Sequence, residues 1–65
     1  MTALSPAKLV ALRVQRDWSQ AETARRAGIN QSYYSQLEKQ RKTNPSDGVV
    51  AKLAEAFGVT VEELT

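Results

Sequence analysis

The chain has 65 residues and a formal net charge of +2, with a sequence pI near 9.3; this length makes one domain over 1–65, with a small core that needs most of its large apolar residues. It holds no Cys and no His, which excludes disulfides, thiolate nucleophiles, the usual zinc sets and the commonest general base, so no enzyme, metal or cofactor is expected. No apolar run approaches the ~20 residues that span a bilayer, and the opening MTALSPAK lacks the charged-then-apolar layout of a signal peptide, so no membrane association and a cytoplasmic location are expected.

The charge is lopsided. Residues 1–44 hold eight Lys/Arg against three acids, giving +5, whereas residues 45–65 hold one Lys against four acids, giving −3. Such asymmetry suits a protein that lays one end on a polyanion, although ordinary solvating charges account for it too.

In chain order, Leu4-Ser5-Pro6 opens a first helix. Ser5 caps, Pro6 takes the first helical position where its missing amide costs nothing, and Leu4 can staple to Leu9. This helix runs to about Arg16, with Leu9, Val10, Leu12 and Val14 spread over two turns and Arg13 among them, in need of a partner. Asp17-Trp18 breaks it, and Trp18 reads as a core residue.

Residues 19–39, SQAETARRAGINQSYYSQLEK, read as two short helices joined by a turn. Ser19 and Glu22 have capping-box spacing, so the second helix starts at Gln20. Gly28 ends it by entering the left-handed conformation at little cost. Asn30 caps the third helix, which starts at Gln31, with Ile29 and Tyr34 at staple positions.

At 100° per residue, Tyr34 and Leu37 share one side of the third helix with the flank of Glu38. The opposite side carries Ser32, Ser35, Gln36 and Lys39, with Gln31 and Tyr33 at its borders. A face of amides, hydroxyls and one ammonium, without a carboxylate, suits base edges and phosphates, because Gln forms paired bonds to adenine and Ser serves any base. An ordinary solvated helix face has the same composition, and the two readings stay open on this face alone.

The polar, basic loop 40–45 follows, placed where phosphates beside a groove lie. Ser46 caps a fourth helix carrying the stripe Val49, Val50, Leu53, Ala54 and Phe57, closed by Gly58. Thr60 with Glu63 and Val59 with Leu64 then have the spacings of another box and staple, so a fifth helix is expected to begin as the chain ends.

These elements together resemble the phage repressor and Cro helix-turn-helix family, also called the xenobiotic-response-element family. The resemblance rests on Ser19-Gln20, Ala24, the Gly28 turn, Leu37-Glu38, Asn44-Pro45-Ser46, Phe57-Gly58-Val59 and Glu63-Leu64. It implies an all-α, five-helix, lambda-repressor-like domain with its helix-turn-helix at about 20–38. The third helix enters the major groove by its N-terminal end. The implied function is sequence-specific binding of double-stranded DNA by a transcriptional regulator, a repressor, on a palindromic operator. The resemblance places base contacts at Gln31, Ser32 and Gln36. It places phosphate contacts at Gln20, which also braces Gln31, and at Ser35, Lys39, Arg41, Lys42 and Thr43. Arg13 and Glu38 become an internal ion pair, and Val61 with Leu64 become contacts of a weak homodimer that pairs mainly on DNA, although both can equally serve to close the core of one subunit. The chain departs from the family at Thr23, where Leu is usual, at the small Ala27, and at Gln40, where a Gly commonly ends the reading helix. The same fold also serves as a protein-interaction module, in an antitoxin or adaptor. That alternative calls for exposed aromatic or aliphatic side chains, of which Tyr33 is the one candidate.

Overall fold

A computed structural model describes residues 4–39 and 45–65. Within them run α1 (Pro6–Gln15), α2 (Gln20–Ala27), α3 (Gln31–Glu38), α4 (Asp47–Phe57) and a closing 3-10 turn (Val61–Leu64). The expected five helices are therefore four α-helices and a 3-10 turn among the described residues. Glu63 donates its amide to the Thr60 carbonyl at 3.1 Å and Thr65 to Glu62 at 3.3 Å. These are three-residue closures, the tighter form common in a single helical turn.

Local chemistry sets the boundaries. Ser5, Ser19, Asn30 and Ser46 are extended N-caps whose side-chain oxygens each accept amides of the following turn. At the other ends, Gly28 and Gly58 adopt φ of 71° and 73°. After each, the next amide reaches back across the last turn, Ile29 to the Ala24 carbonyl and Val59 to that of Ala54, both at 3.0 Å. α1 ends by the same device on a less suitable residue: Asp17 has φ 56°, and Trp18 donates to the Arg13 carbonyl at 3.1 Å.

α2 packs on α3 and α4, while α1 packs on α3 and the closing turn. Between them lie Leu4, Leu9, Ala24, Ala27, Tyr34, Leu37, Val50, Leu53, Ala54, Phe57 and Leu64. Each large member contributes about 1.5–3 kcal/mol by leaving water. Thr23, where the family that the sequence resembles usually has Leu, is fully buried; its hydroxyl donates to the Ser19 carbonyl at 2.9 Å, so the polar atom is satisfied. Trp18 is half-buried and stacks on Phe57, with centroids 5.6 Å apart. Arg16 lies against both rings, and its guanidinium donates to the Phe57 carbonyl at 2.7 Å, tying the end of α1 to the end of α4.

The segment before α1 meets the closing turn: the Ser5 amide donates to the Leu64 carbonyl at 2.8 Å, and the Leu64 side chain is 0% exposed. Leu64 is therefore part of the subunit's own core rather than the dimer contact expected of it. Val61 is partly buried against the same core. Among the described residues, no helix is long and apolar enough to cross a membrane.

Candidate nucleic-acid interface

The start of α2 and the outer side of α3 enclose a shallow concavity of about 640 Å³, lined by Gln20, Asn30, Gln31, Ser32, Ser35, Gln36 and Lys39. Side chains eleven or more positions apart in the chain, Gln20 and Gln31, meet there because the Gly28 turn folds α3 back across α2. The α3 core side holds Tyr34 and Leu37, both fully buried, so the helix cannot rotate without exposing them. Its other side is thereby held outward. Gln31, Ser32 and Lys39 are exposed, whereas Ser35 and Gln36 are partly covered. The lining contains amides, hydroxyls and one ammonium, and no carboxylate.

Asn30, which its position in the sequence marks only as a helix cap, also lines this surface. Its Oδ1 accepts the Ser32 and Tyr33 amides at 2.8 and 3.3 Å, so the cap's acceptor end is occupied by the helix start. A polar cap beside a polar helix face was the available signal. Arg41, Lys42 and Thr43, expected to touch phosphate, lie outside the described residues, as does Gln40.

Behind the concavity, Arg13 Nε and Nη2 donate to Glu38 Oε2 and Oε1 at 2.6 and 3.1 Å. Arg13 Nη1 donates to the Trp18 carbonyl at 2.9 Å, so one guanidinium joins α1, the turn before α2, and the end of α3. Burial by itself raises the Glu38 carboxyl, but the bonds donated by Arg13 and Gln20, with the Tyr34 hydroxyl close by, outweigh it and hold the group below the ordinary carboxylate range. The Tyr34 hydroxyl has no partner of good geometry among the described residues. Burial, and then the adjacent Glu38 carboxylate, push its pKa well above the ordinary tyrosine value.

Gln20 departs from its expected role as a brace for Gln31. Its Nε2 donates to Glu38 Oε1 at 2.9 Å, because a buried carboxylate is the stronger acceptor within reach. Glu22 likewise does not return the Ser19 cap: the Ser19 hydroxyl accepts the Glu22 amide at 3.0 Å, while the Glu22 carboxylate takes Arg25 and Arg26 at 2.6 and 2.5 Å. Hydrogen bonds from those two cations lower its pKa. Tyr33, taken as an exposed aromatic, is partly buried and packed against the core. Among the described residues, the exposed large hydrophobic residue is instead Val14 on α1, at 56%.

Comparison with known proteins gives a consistent picture. Among curated proteins, none matches the chain. The N-terminal DNA binding domain of SinR from Bacillus subtilis is 30% identical, with a TM-score of 0.83 over 88% of this chain and 83% of that one. A hypothetical transcription factor, NHTF from Neisseria, is 27% identical, with a TM-score of 0.79 over 95% of this chain and 78% of that one. A family model described as helix-turn-helix matches residues 9–64, spanning all four α-helices but the first three residues of α1. With this match over most of its length, the chain belongs to the Cro- and repressor-type helix-turn-helix family.

Proposed function

We propose that this protein is a DNA-binding transcriptional regulator that reads duplex sequence with α3 in the major groove. The observation that carries the reading is the concavity itself: amides and hydroxyls gathered on the outer side of α3, beside one ammonium, with no carboxylate to repel phosphate. Its similarity to the DNA binding domain of SinR adds support. Gln31, Ser32 and Gln36 are the base-reading residues of this proposal, since amide and hydroxyl groups match the donor and acceptor pattern of base edges. Gln20, Ser35 and Lys39 meet the sugar-phosphate backbone, together with Arg41, Lys42 and Thr43. One such module touches few bases, so two copies occupy a palindromic operator with their reading helices about 34–36 Å apart. Repression, by occupation of a promoter, is the regulatory outcome we assign.

The test is selection of bound duplexes from a random pool, followed by titration of the enriched sequence at increasing salt. Enrichment of one palindromic motif, with affinity falling steeply as salt rises, is the expected result. A pool that stays random, or an affinity indifferent to salt, sinks the proposal. The antitoxin or adaptor alternative has little to stand on among the described residues: Tyr33 is packed against the core, and Val14 is a lone exposed aliphatic on α1 that does not line the concavity.

A further inference from the structure

We propose that Glu38 is a positioning residue for the interface: it fixes which end of the Gln20 side-chain amide the concavity presents to DNA. The inference rests on the reading of that concavity as a DNA-binding surface.

A glutamine amide has a donor end and an acceptor end of nearly equal size, and only its partners decide which way it points. Gln20 sits at the first position of α2 and lines the concavity. Its Nε2 lies 2.9 Å from Glu38 Oε1. An ionised carboxylate only accepts, so the nitrogen end must face Glu38 and the Oε1 end must face away. Glu38 cannot exchange roles, because both of its oxygens also receive the Arg13 guanidinium, at 2.6 and 3.1 Å. Arg13 is in turn anchored on the Trp18 carbonyl at 2.9 Å, two residues before Gln20. The chain of bonds thus runs from the backbone ahead of α2, through Arg13 and Glu38, back to the first side chain of α2. Its outward product is an oriented acceptor, Oε1, and one remaining N–H of Nε2.

This orientation has a consequence for binding. The remaining N–H can donate to a phosphate oxygen while Oε1 accepts from a neighbouring donor, and both are set before DNA arrives. A freely rotating amide presents the wrong end in part of the population, which lowers apparent affinity by that fraction. Glu38 itself lies behind the surface and is not among the residues lining the concavity.

Two measurements test this, the first on the free protein. In the wild-type chain the Nε2 proton facing Glu38 should be shifted downfield and exchange slowly with water, so that the two Nε2 signals of Gln20 lie farther apart than those of exposed Gln15, and the separation should fall to that of Gln15 in Glu38→Gln. A Gln20 pair with the separation and water exchange of Gln15 in the wild-type chain overturns the proposal without any substitution. The second is a double-mutant cycle on the duplex enriched from the random pool, at a temperature where circular dichroism shows every variant folded. Gln20→Ala should weaken binding about three- to tenfold in the wild-type background, the effect of one well-made hydrogen bond, and by less than about twofold beside Glu38→Gln. An equal loss in both backgrounds assigns Glu38 to folding alone and overturns the proposal. Failure to enrich any duplex refutes the DNA-reading function instead, and the amide spectrum still reports the orientation.

Discussion

Truncation of Glu38 to alanine removes the acceptor at the centre of the buried polar network. It deletes the bonds from Arg13 Nε at 2.6 Å, Arg13 Nη2 at 3.1 Å and Gln20 Nε2 at 2.9 Å. The pair is well shielded, with side-chain exposures of 18% for Arg13 and 6% for Glu38. Breaking a buried pair from one side costs about 3–5 kcal/mol, and an exposed one about 1 or less. Arg13 keeps its bond to the Trp18 carbonyl and some contact with water, so the cost falls below the fully buried range, at about 2–3 kcal/mol. A chain of this length has only roughly 3–10 kcal/mol of stability in all, so the loss is large in proportion. Urea unfolding followed by Trp18 fluorescence should show the midpoint fall by about 2 M or more at a slope near 1 kcal/mol/M. Arg13→Ala alone should be comparably damaging. The double variant should be more stable than the sum of the single losses predicts, by about 1 kcal/mol or more, since it leaves no stranded charge. Additive losses, or a cost for Glu38→Ala below about 0.5 kcal/mol, would refute the account of a shielded, coupled pair.

Because the folded chain holds the Glu38 carboxyl below the ordinary glutamate value of 4.5, the pair's contribution is full above that pH and is lost as the pH falls through the lower folded value. Wild-type unfolding midpoints should accordingly drop at acid pH more steeply than those of Glu38→Leu, and parallel acid limbs would contradict this. Asp17 adopts φ 56° where glycine is free of strain, so Asp17→Gly should raise stability by about 0.5–1 kcal/mol despite the greater entropy of the unfolded chain; a lower melting temperature would show that the side chain contributes more than it strains. Leu64→Ala should cost about 2–4 kcal/mol by opening a core cavity while leaving the sedimenting mass unchanged; a fall in mass with stability intact would restore Leu64 to a dimer contact. Gln31→Ala should cost roughly 1–3 kcal/mol on the enriched duplex and relax preference at one position, and equal losses on specific and random duplexes would make Gln31 a positioning residue instead.

Much of this protein is written in short-range chemistry. Ser5 with Pro6, Ser19, Asn30 and Ser46 start helices, and Gly28 and Gly58 stop them, because caps act on amides and carbonyls within one turn of themselves. The polar side of α3 is legible for a similar reason: its period follows from helix geometry once Tyr34 and Leu37 are assigned to the core. Arg13 showed in the sequence only as a cation among apolar neighbours, and its pairing with Glu38 came from family resemblance, since the two lie 25 positions apart. Tertiary structure decided the competitions between alternative partners. Gln20 had Gln31 nearby and took Glu38, 18 positions along the chain, because a charge-assisted bond outweighs a neutral one; Glu22, by contrast, gave up its cap for Arg25 and Arg26 within its own helix, a competition local to one turn. Leu64 had the spacing of a surface staple, yet the Ser5 amide draws its carbonyl to within 2.8 Å and the core closes over its side chain. Sequence spacing states which groups can meet within a turn, but which of several distant partners is met depends on burial and charge that exist only after the helices have packed.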